Sequence, residues 1–177
     1  MSVLKVNQIQ TANGVIMANL NSSGANIGFQ LASSLAPAFG AFKSSTQSIT
    51  TGTWTKATLD TEEFDTNNNF SSSRFTPTVA GYYQINGAIY GISSAALTRI
   101  LIAIYKNGSQ FKNGNYIAPI TADSLRGQAV VSSLIYLNGS SDYVELYGYL
   151  TSSSAPSFEG DASGIQVYMN GFLARSA

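Results

Sequence analysis

Short apolar runs, separated by polar residues and glycine, fill the chain from Pro37 onward. In the clearest run, residues 143–150, Val144, Leu146 and Leu150 alternate with tyrosine and glutamate. Because successive side chains of a strand point to opposite faces, this run predicts a strand with one aliphatic and one tyrosine-rich face. The other runs are rich in β-branched and aromatic residues at the spacing of a sandwich or barrel. The pattern predicts an all-β domain over residues 37–177.

The run at residues 100–105 is apolar on both faces, with three isoleucines alternating with Leu101, Ala103 and Tyr105. One face of a sandwich strand usually meets solvent, so an apolar second face indicates a further layer. We expect that layer to be a neighbouring subunit, since tyrosine buries a large ring and keeps a polar hydroxyl. The predicted subunit interface consists of Tyr105, Tyr143, Tyr147 and Tyr149. In the alternative interpretation these rings cover the core of a single subunit.

Three Asn-Gly dipeptides punctuate these runs, at residues 107–108, 113–114 and 138–139. Asparagine and glycine accept the positive φ angles of tight turns, and two of the dipeptides directly follow apolar runs. We predict hairpin turns there.

Residues 1–36 have a different pattern and predict an extended N-terminal β segment followed by a linker. Two short strands are expected, one on each side of the polar residues 11–14. Residues 21–28 have too little apolar surface to form a core, and residues 29–35 fit either a helical turn or an extended lead-in. The apolar residues of the two expected strands include Val3, Leu4, Val6, Ile9, Val15 and Ile16.

Composition excludes several classes of function. Charged residues make up 10% of the chain, with nine basic against nine acidic, so no positive field favours nucleic acid. There is no cysteine and no histidine, which excludes disulfides, thiolate chemistry and histidine-based catalysis. No continuous apolar stretch suits a signal peptide or a membrane span, so we expect synthesis in a cytoplasm and no membrane insertion.

Several ordered pieces of the chain resemble one known superfamily. They are the segments 37–42 and 54–65, then Phe70, then residues 75–83, the most specific piece, whose sequence is FTPTVAGYY. Residues 104–108 look like a central hairpin, residues 143–146 like a core strand, and residues 163–173 like a closing strand. This series is similar to the complement globular-head and tumour-necrosis-factor-like superfamily, especially its bacterial and bacteriophage versions.

That resemblance implies a ten-stranded jelly-roll sandwich that forms a tight homotrimer and binds through its loops without chemistry. Together with the strand pattern, it leads us to expect seven core residues. They are Phe39, Phe42, Phe75, Tyr83, Ile85, Leu146 and Phe172. We expect Phe172→Ala to lower stability by about 3–5 kcal/mol if this ring is fully buried.

The opening residues 1–11, MSVLKVNQIQT, resemble the start of many tailed-phage virion proteins. The resemblance implies a location in the virion, where residues 1–36 dock the trimer on another virion protein by strand pairing. The attachment residues that it implies are Val3, Leu4, Val6, Ile9, Val15 and Ile16. We therefore expect a non-enzymatic short tail fibre or spike whose head binds a host-surface glycan. One alternative is a capsid decoration or cement protein, which the short leader favours, and another is a bacterial surface lectin.

Four acidic residues lie within six positions: Asp60, Glu62, Glu63 and Asp65. Such a cluster can hold calcium, although carboxylates on an edge strand also discourage unwanted strand pairing. Glycoside hydrolysis needs two carboxyl groups roughly 5–9.5 Å apart, but no histidine, metal motif or cleft pattern supports it here. We therefore expect no cofactor and favour the edge-strand role, with calcium binding as the alternative.

Exposed aromatic residues with short polar partners suit sugars, because a ring stacks on a pyranose while amides and carboxylates bind its hydroxyls. Two loops have this composition, although ordinary loop residues would look the same. The candidate glycan-binding residues are Phe111, Asn113, Asn115 and Tyr116 in one loop, and Phe158, Glu159 and Asp161 in the other.

Overall fold

A computed structural model describes residues 8–10, 16–19, 36–118 and 125–177. The chain divides into two units, residues 1–35 and residues 36–177, the second of which we call the head. In the first unit, strand β1 (Gln8–Gln10) pairs antiparallel with β2 (Ile16–Asn19). The attachment residues Val3, Leu4, Val6 and Val15 lie outside the described residues, as does the segment 29–35.

The described part of the head consists of strands and connecting loops, without a helix. None of the described residues forms a helix long and apolar enough to cross a membrane. The strands are β3 (Ala38–Phe42), β4 (Gln47–Ser48), β5 (Thr55–Lys56), β6 (Thr61–Asp65), β7 (Phe70–Ser71), β8 (Arg74–Phe75), β9 (Gly81–Ile92), β10 (Leu97–Lys106), β11 (Ser109–Ile117), β12 (Arg126–Leu137), β13 (Val144–Ser152), β14 (Ser157–Phe158) and β15 (Tyr168–Ser176).

These strands form two antiparallel sheets that pack as a sandwich. One sheet has the order β11-β10-β13-β8-β7, with β5 added on β13, and we call it the six-stranded sheet. The other has the order β4-β14-β9-β15-β3-β6, with β12 added on β9, and we call it the seven-stranded sheet. The long strands β9, β10, β12 and β13 place alternate side chains in the core between the sheets. The all-β sandwich expected from the strand pattern is confirmed.

Aromatic rings fill one part of the core. Phe39 stacks on Phe75 with ring centroids 4.2 Å apart and on Phe70 at 5.3 Å, and Tyr83 meets Phe75 edge-on at 5.5 Å. The Tyr83 hydroxyl donates a hydrogen bond to the Val79 carbonyl at 2.6 Å, which satisfies its polar end. Six of the seven predicted core residues are buried: Phe39, Phe42, Phe75, Tyr83, Ile85 and Leu146.

Phe172 is not a core residue, so that prediction is wrong. Its side chain is 50% exposed, because in β15 the inward positions belong to Met169 and Gly171. A Cβ on Gly171 would lie 2.6 Å from the Ile85 side chain and 3.0 Å from the Phe39 ring. Large residues from neighbouring strands therefore fill the space above Gly171, and Phe172 points outward.

The Asn-Gly dipeptides have three different roles. Asn107 and Gly108, with φ of 53° and 77°, form the two-residue turn between β10 and β11, which confirms the predicted hairpin. Gly139 also has positive φ, but its loop carries the chain from the seven-stranded to the six-stranded sheet and is not a hairpin. The Asn138 side chain caps this loop by accepting hydrogen bonds from three following N–H groups.

The third dipeptide, at residues 113–114, lies inside β11 rather than in a turn. Leu101 pairs with Tyr116 and Ala103 with Asn113, so β11 has one extra residue there, as in a β-bulge. At the bulge the Asn115 amide oxygen accepts a hydrogen bond from the Val130 N–H of β12 at 2.6 Å. The bulge thus joins the edge of one sheet to the edge of the other.

Gly114 is required at this bulge because the backbone approaches it closely. A Cβ there would overlap the Val130 carbonyl oxygen and the Ile102 side chain. We expect Gly114→Ala to lower the free energy of unfolding by about 1–3 kcal/mol, because the two sheet edges must separate. Urea denaturation measures the change, with Ser109→Ala on the same strand as the control. Equal midpoints for Gly114→Ala and wild type would show that the edge has room for a methyl group.

Candidate functional site

The outward face of β9, β12 and β15 in the seven-stranded sheet carries several exposed apolar side chains. Tyr82 pairs with Tyr136, and Gln84 pairs with Leu134 on one side and Phe172 on the other. Leu134 is 55% exposed and Phe172 50%. Arg126 and Arg175 lie at the two ends of this surface, and we call the uncharged part between them the neutral face. Its residues are Tyr82, Gln84, Asn86, Ala88, Tyr90, Gln128, Val130, Ser132, Leu134, Tyr136, Tyr168, Asn170 and Phe172.

The polar groups at the centre of the neutral face bind one another. The Gln84 amide donates to Asn86 at 3.1 Å and to the Ser132 hydroxyl at 2.8 Å, and that hydroxyl donates to Asn86 at 2.9 Å. The Asn86 amide in turn donates to Asn170 at 3.0 Å. These amides already have hydrogen-bond partners within the face. Another apolar surface can therefore cover the face without leaving them unsatisfied.

An open depression of about 400 Å³ lies at one end of the neutral face. It is lined by Tyr82, Leu134 and the chain end at residues 174–177. Arg175 lies in this depression and pairs with Tyr82 across β15 and β9. The neutral face therefore ends at a positive charge.

The outward face of the six-stranded sheet is different, because it carries aromatic rings among charged residues. Tyr105 and Tyr147 stack with ring centroids 3.8 Å apart. The ring centroid of Trp54 lies 5.6 Å from that of Tyr149 and 6.1 Å from that of Tyr105. These four rings, which we call the aromatic face, are each half-buried, and burial raises the pKa of the Tyr105 and Tyr147 hydroxyls.

The aromatic face changes the argument for a subunit interface at Tyr105, Tyr143, Tyr147 and Tyr149. The second face of β10 is partly covered by rings of its own chain, so an apolar second face does not by itself require another subunit there. Tyr143 lies under the Arg74 guanidinium, which is 3.7 Å from its ring centre. This arrangement matches the alternative interpretation, in which the tyrosines cover a single subunit.

An ion cluster adjoins the aromatic face. Glu145 accepts hydrogen bonds from the Lys56 ammonium at 2.7 Å and from the Arg74 guanidinium at 3.0 and 3.1 Å. Its side chain is 4% exposed, whereas those of Lys56 and Arg74 are 27% and 42% exposed. The carboxylate therefore lies beneath two cations that remain accessible to solvent.

The first predicted glycan loop lies on the edge strand β11. Phe111 is 46% exposed and Tyr116 is 54% exposed, so both rings are accessible. The amides are less available, since Asn113 accepts a hydrogen bond from Gln110 and Asn115 holds the Val130 N–H. The structure thus offers two rings here, while their expected amide partners have structural roles.

The second predicted glycan loop is not arranged for binding. Phe158 is fully buried, and its ring packs where a Cβ on Gly148 would lie, so the expectation that this ring meets a sugar is wrong. Glu159 makes a bidentate ion pair with Arg126 at 2.9 and 3.0 Å. Asp161 accepts hydrogen bonds from the N–H groups of the loop that follows it. The sequence pattern missed that β14 carries Phe158 into the core.

The acidic segment does not assemble into a metal site. No three acidic side chains in the described ranges come together as metal ligands. Asp65 accepts hydrogen bonds from the N–H groups of Asn67 and Phe70, and Glu62 and Glu63 are exposed on β6. β6 ends the order of the seven-stranded sheet, so these carboxylates occupy the edge position that discourages pairing with another sheet.

Asp60 is held by the β3–β4 loop. Its carboxylate accepts a hydrogen bond from the Ser44 N–H at 2.7 Å and lies 3.5 Å from the Lys43 ammonium. Burial raises the pKa of Asp60, but the Ser44 hydrogen bonds and Lys43 together outweigh it. The pKa therefore falls from 3.8 to about 2.

Asp60→Asn is expected to lower the melting temperature at neutral pH. Because the folded-state pKa lies below the ordinary value, the stabilising effect is complete above pH 3.8 and is lost as the pH falls toward about 2. The melting temperatures of variant and wild type should therefore converge over that range. Glu62→Gln, on the exposed part of the same segment, is the control, and a constant difference at all pH values would contradict the assignment.

Comparison with known proteins agrees with the fold. No family model and no curated protein sequence matches the chain. Murine APRIL, in a crystal structure at pH 8.5, is similar with a TM-score of 0.55 and 6% identity, over 78% of this chain and 98% of its own. Eiger TNF from S. frugiperda is similar with a TM-score of 0.57 and 8% identity, over 80% of this chain and 93% of its own.

The head has the tumour-necrosis-factor-like jelly-roll fold. The resemblance seen in residues 37–173 is confirmed at the level of this fold. Identities of 6% and 8% carry no information about ligand or partner, so function has to be argued from the surfaces of this jelly roll.

Proposed function

We propose that this chain is a non-enzymatic bacteriophage virion protein, a short fibre or spike, that self-associates as a homotrimer and binds the host surface with its jelly-roll head. The observation that carries the proposal is the neutral face. Exposed apolar side chains gathered on one surface of a soluble domain mark a site of association. The neutral face has five large ones: Tyr82, Val130, Leu134, Tyr136 and Phe172.

The absence of charge on this face favours a second copy of the same chain as its partner. Residues close to a rotation axis meet their own copies, so a charged residue at that position would face like charges. The thirteen residues of the neutral face include no acidic or basic side chain. The proposed number of subunits, three, comes from the resemblance of residues 37–173 to trimeric globular heads.

The virion setting rests on the opening residues 1–11, whose sequence resembles the start of tailed-phage virion proteins. Residues 8–10 and 16–19 pair as a hairpin, a structure suited to docking by strand pairing. The non-enzymatic assignment rests on a sequence without histidine or cysteine, the side chains of most nucleophile and base pairs.

Electron microscopy of intact phage particles with an antibody against the head tests the location. Label at the tail tip is the expected result. Label in a regular lattice on the capsid would contradict the fibre assignment and favour the decoration protein instead. Unlabelled particles that infect normally would contradict the virion assignment as a whole. Purified protein binding to host cells, and not to a resistant strain, is expected for the fibre.

A further inference from the structure

We infer that the aromatic face, with the ion cluster beside it, binds an acidic polysaccharide chain of the host surface. The inference rests on the proposed function, because it specifies where the head binds the host and which class of sugar it takes. It places the site on the outward face of the six-stranded sheet rather than on the two loops suggested by the sequence.

The rings form a continuous series across adjacent strands. Tyr147 stacks on Tyr105, Tyr105 contacts Trp54, and Trp54 contacts Tyr149. Half-buried rings are held in place by their neighbours and keep part of their surface open, so little conformational entropy is lost on binding. The C–H groups of a pyranose pack on aromatic rings, while tyrosine hydroxyls can bind sugar hydroxyls. A series of rings suits a chain of sugars better than a single one.

The charges on this side of the sheet are unequal. Lys56 and Arg74 share the single carboxylate of Glu145, and Arg99 adds a further positive charge six residues from Tyr105 along β10, while Lys106 and Asp142 compensate each other at 2.9 Å. Arg99 lies on β10 opposite Thr151, with its guanidinium 6.0 Å from the Tyr116 ring. The excess of positive charge complements a carboxylate, sulfate or phosphate on the sugar chain.

Glu145 has a positioning role in this site. It binds the Nε and Nη2 atoms of Arg74 and the ammonium of Lys56, which fixes both cations beside Tyr147. A guanidinium has five N–H donors, so Arg74 retains donors for an anionic group while it is held. The excess charge also makes this face less suited than the neutral face to contact with its own copies, where like charges would meet.

Fluorescence provides a direct test, because Trp54 is the single tryptophan of the chain. The full-length protein is titrated with an oligomer of uronic acid and with a neutral glucose oligomer of the same length. We expect a saturable change in Trp54 emission with the acidic oligomer, weaker binding of the neutral one, and loss of affinity at high salt. Arg74→Gln and Tyr149→Ala should each weaken binding by about tenfold, as expected for one charge-assisted contact or one ring.

Two control variants lie on β11, away from the aromatic face. Lys112→Gln removes the same charge as Arg74→Gln, and Phe111→Ala removes an exposed ring from the loop suggested by the sequence. Both should bind like wild type, with circular dichroism confirming that all variants fold. Loss of binding in Phe111→Ala with unchanged binding in Tyr149→Ala would move the site to β11 and overturn the inference. Equal binding of both oligomers would contradict the acidic specificity.

Failure of this inference can be told apart from failure of the proposed function. If the uronic acid oligomer causes no change in Trp54 emission, the inference is overturned. Self-association is measured separately by sedimentation and virion location by antibody labelling, so either can hold when the sugar does not bind.

Discussion

Leu134→Glu is expected to convert the proposed homotrimer into folded monomers. Leu134 is 55% exposed on β12 and pairs with the uncharged Gln84 on the neutral face. If this face is buried between copies of the chain, the substitution moves a carboxylate from water into a largely apolar contact, which costs more than the nearby Arg175 offsets. Loss of the apolar contact that Leu134 would make in the interface weakens association further.

Light scattering coupled to size-exclusion chromatography measures this result as a mass. Circular dichroism should show an unchanged all-β spectrum, since Leu134 contributes little to the core of its own sandwich. Phe111→Glu is the matched control, because it introduces the same charge at a 46% exposed ring on the other sheet and should remain trimeric. A Leu134→Glu protein of wild-type mass would place the interface elsewhere.

Phe39→Ala and Phe172→Ala are expected to have very different effects on the stability of the protomer. Phe39 is fully buried against Phe70 and Phe75, so its removal should lower the free energy of unfolding by about 3–5 kcal/mol. Phe172 is half exposed on the neutral face, and its removal should change protomer stability by roughly 0.5 kcal/mol or less.

The comparison is made by urea denaturation in the monomeric Leu134→Glu background, where association does not contribute to stability. In the wild-type background, where we propose a trimer, Phe172→Ala should instead weaken association and make the midpoint more dependent on protein concentration. A loss of several kcal/mol for Phe172→Ala in the monomeric background would return this ring to the core and contradict the register of β15.

Strand alternation predicts much of this fold when the pattern is regular. In β13, Val144, Leu146 and Leu150 are fully buried, as their alternation with tyrosine and glutamate indicates. The rule fails at β15, where a glycine occupies an inward position and a phenylalanine an outward one. Gly171 is compatible with the core because Ile85 and Phe39 fill the space above it, and those neighbours are remote in the sequence.

The neutral face could have been found from the sequence by the criterion applied to β10. In β12, Val131, Ile135 and Leu137 alternate with Val130, Leu134 and Tyr136, so this strand is also apolar on both faces. The sequence does not show which side chains pack on the second face of each strand, and this packing distinguishes β10 from β12. The second face of β10 lies next to Trp54 and Tyr147, whereas on β12 Val130, Leu134 and Tyr136 are 48%, 55% and 43% exposed among the described residues.

The candidate site also consists of residues that are far apart in the sequence, so the sequence alone does not predict it. Lys56 and Glu145 are 89 residues apart, and Arg74 and Glu145 are 71 residues apart. No local motif marks such a cluster, while in the acidic motif at residues 60–65 Asp60 and Asp65 bind different backbone groups and Glu62 and Glu63 are exposed. Local composition therefore suggested loops, whereas the fold assembles the candidate site on a sheet.

Sedimentation equilibrium of the wild-type protein at low micromolar concentration tests the central claim most directly, because the neutral face either is or is not buried between copies of the chain. We predict a single species with three times the chain mass of 18.7 kDa. A folded species of 18.7 kDa would leave the neutral face exposed to water and contradict the account.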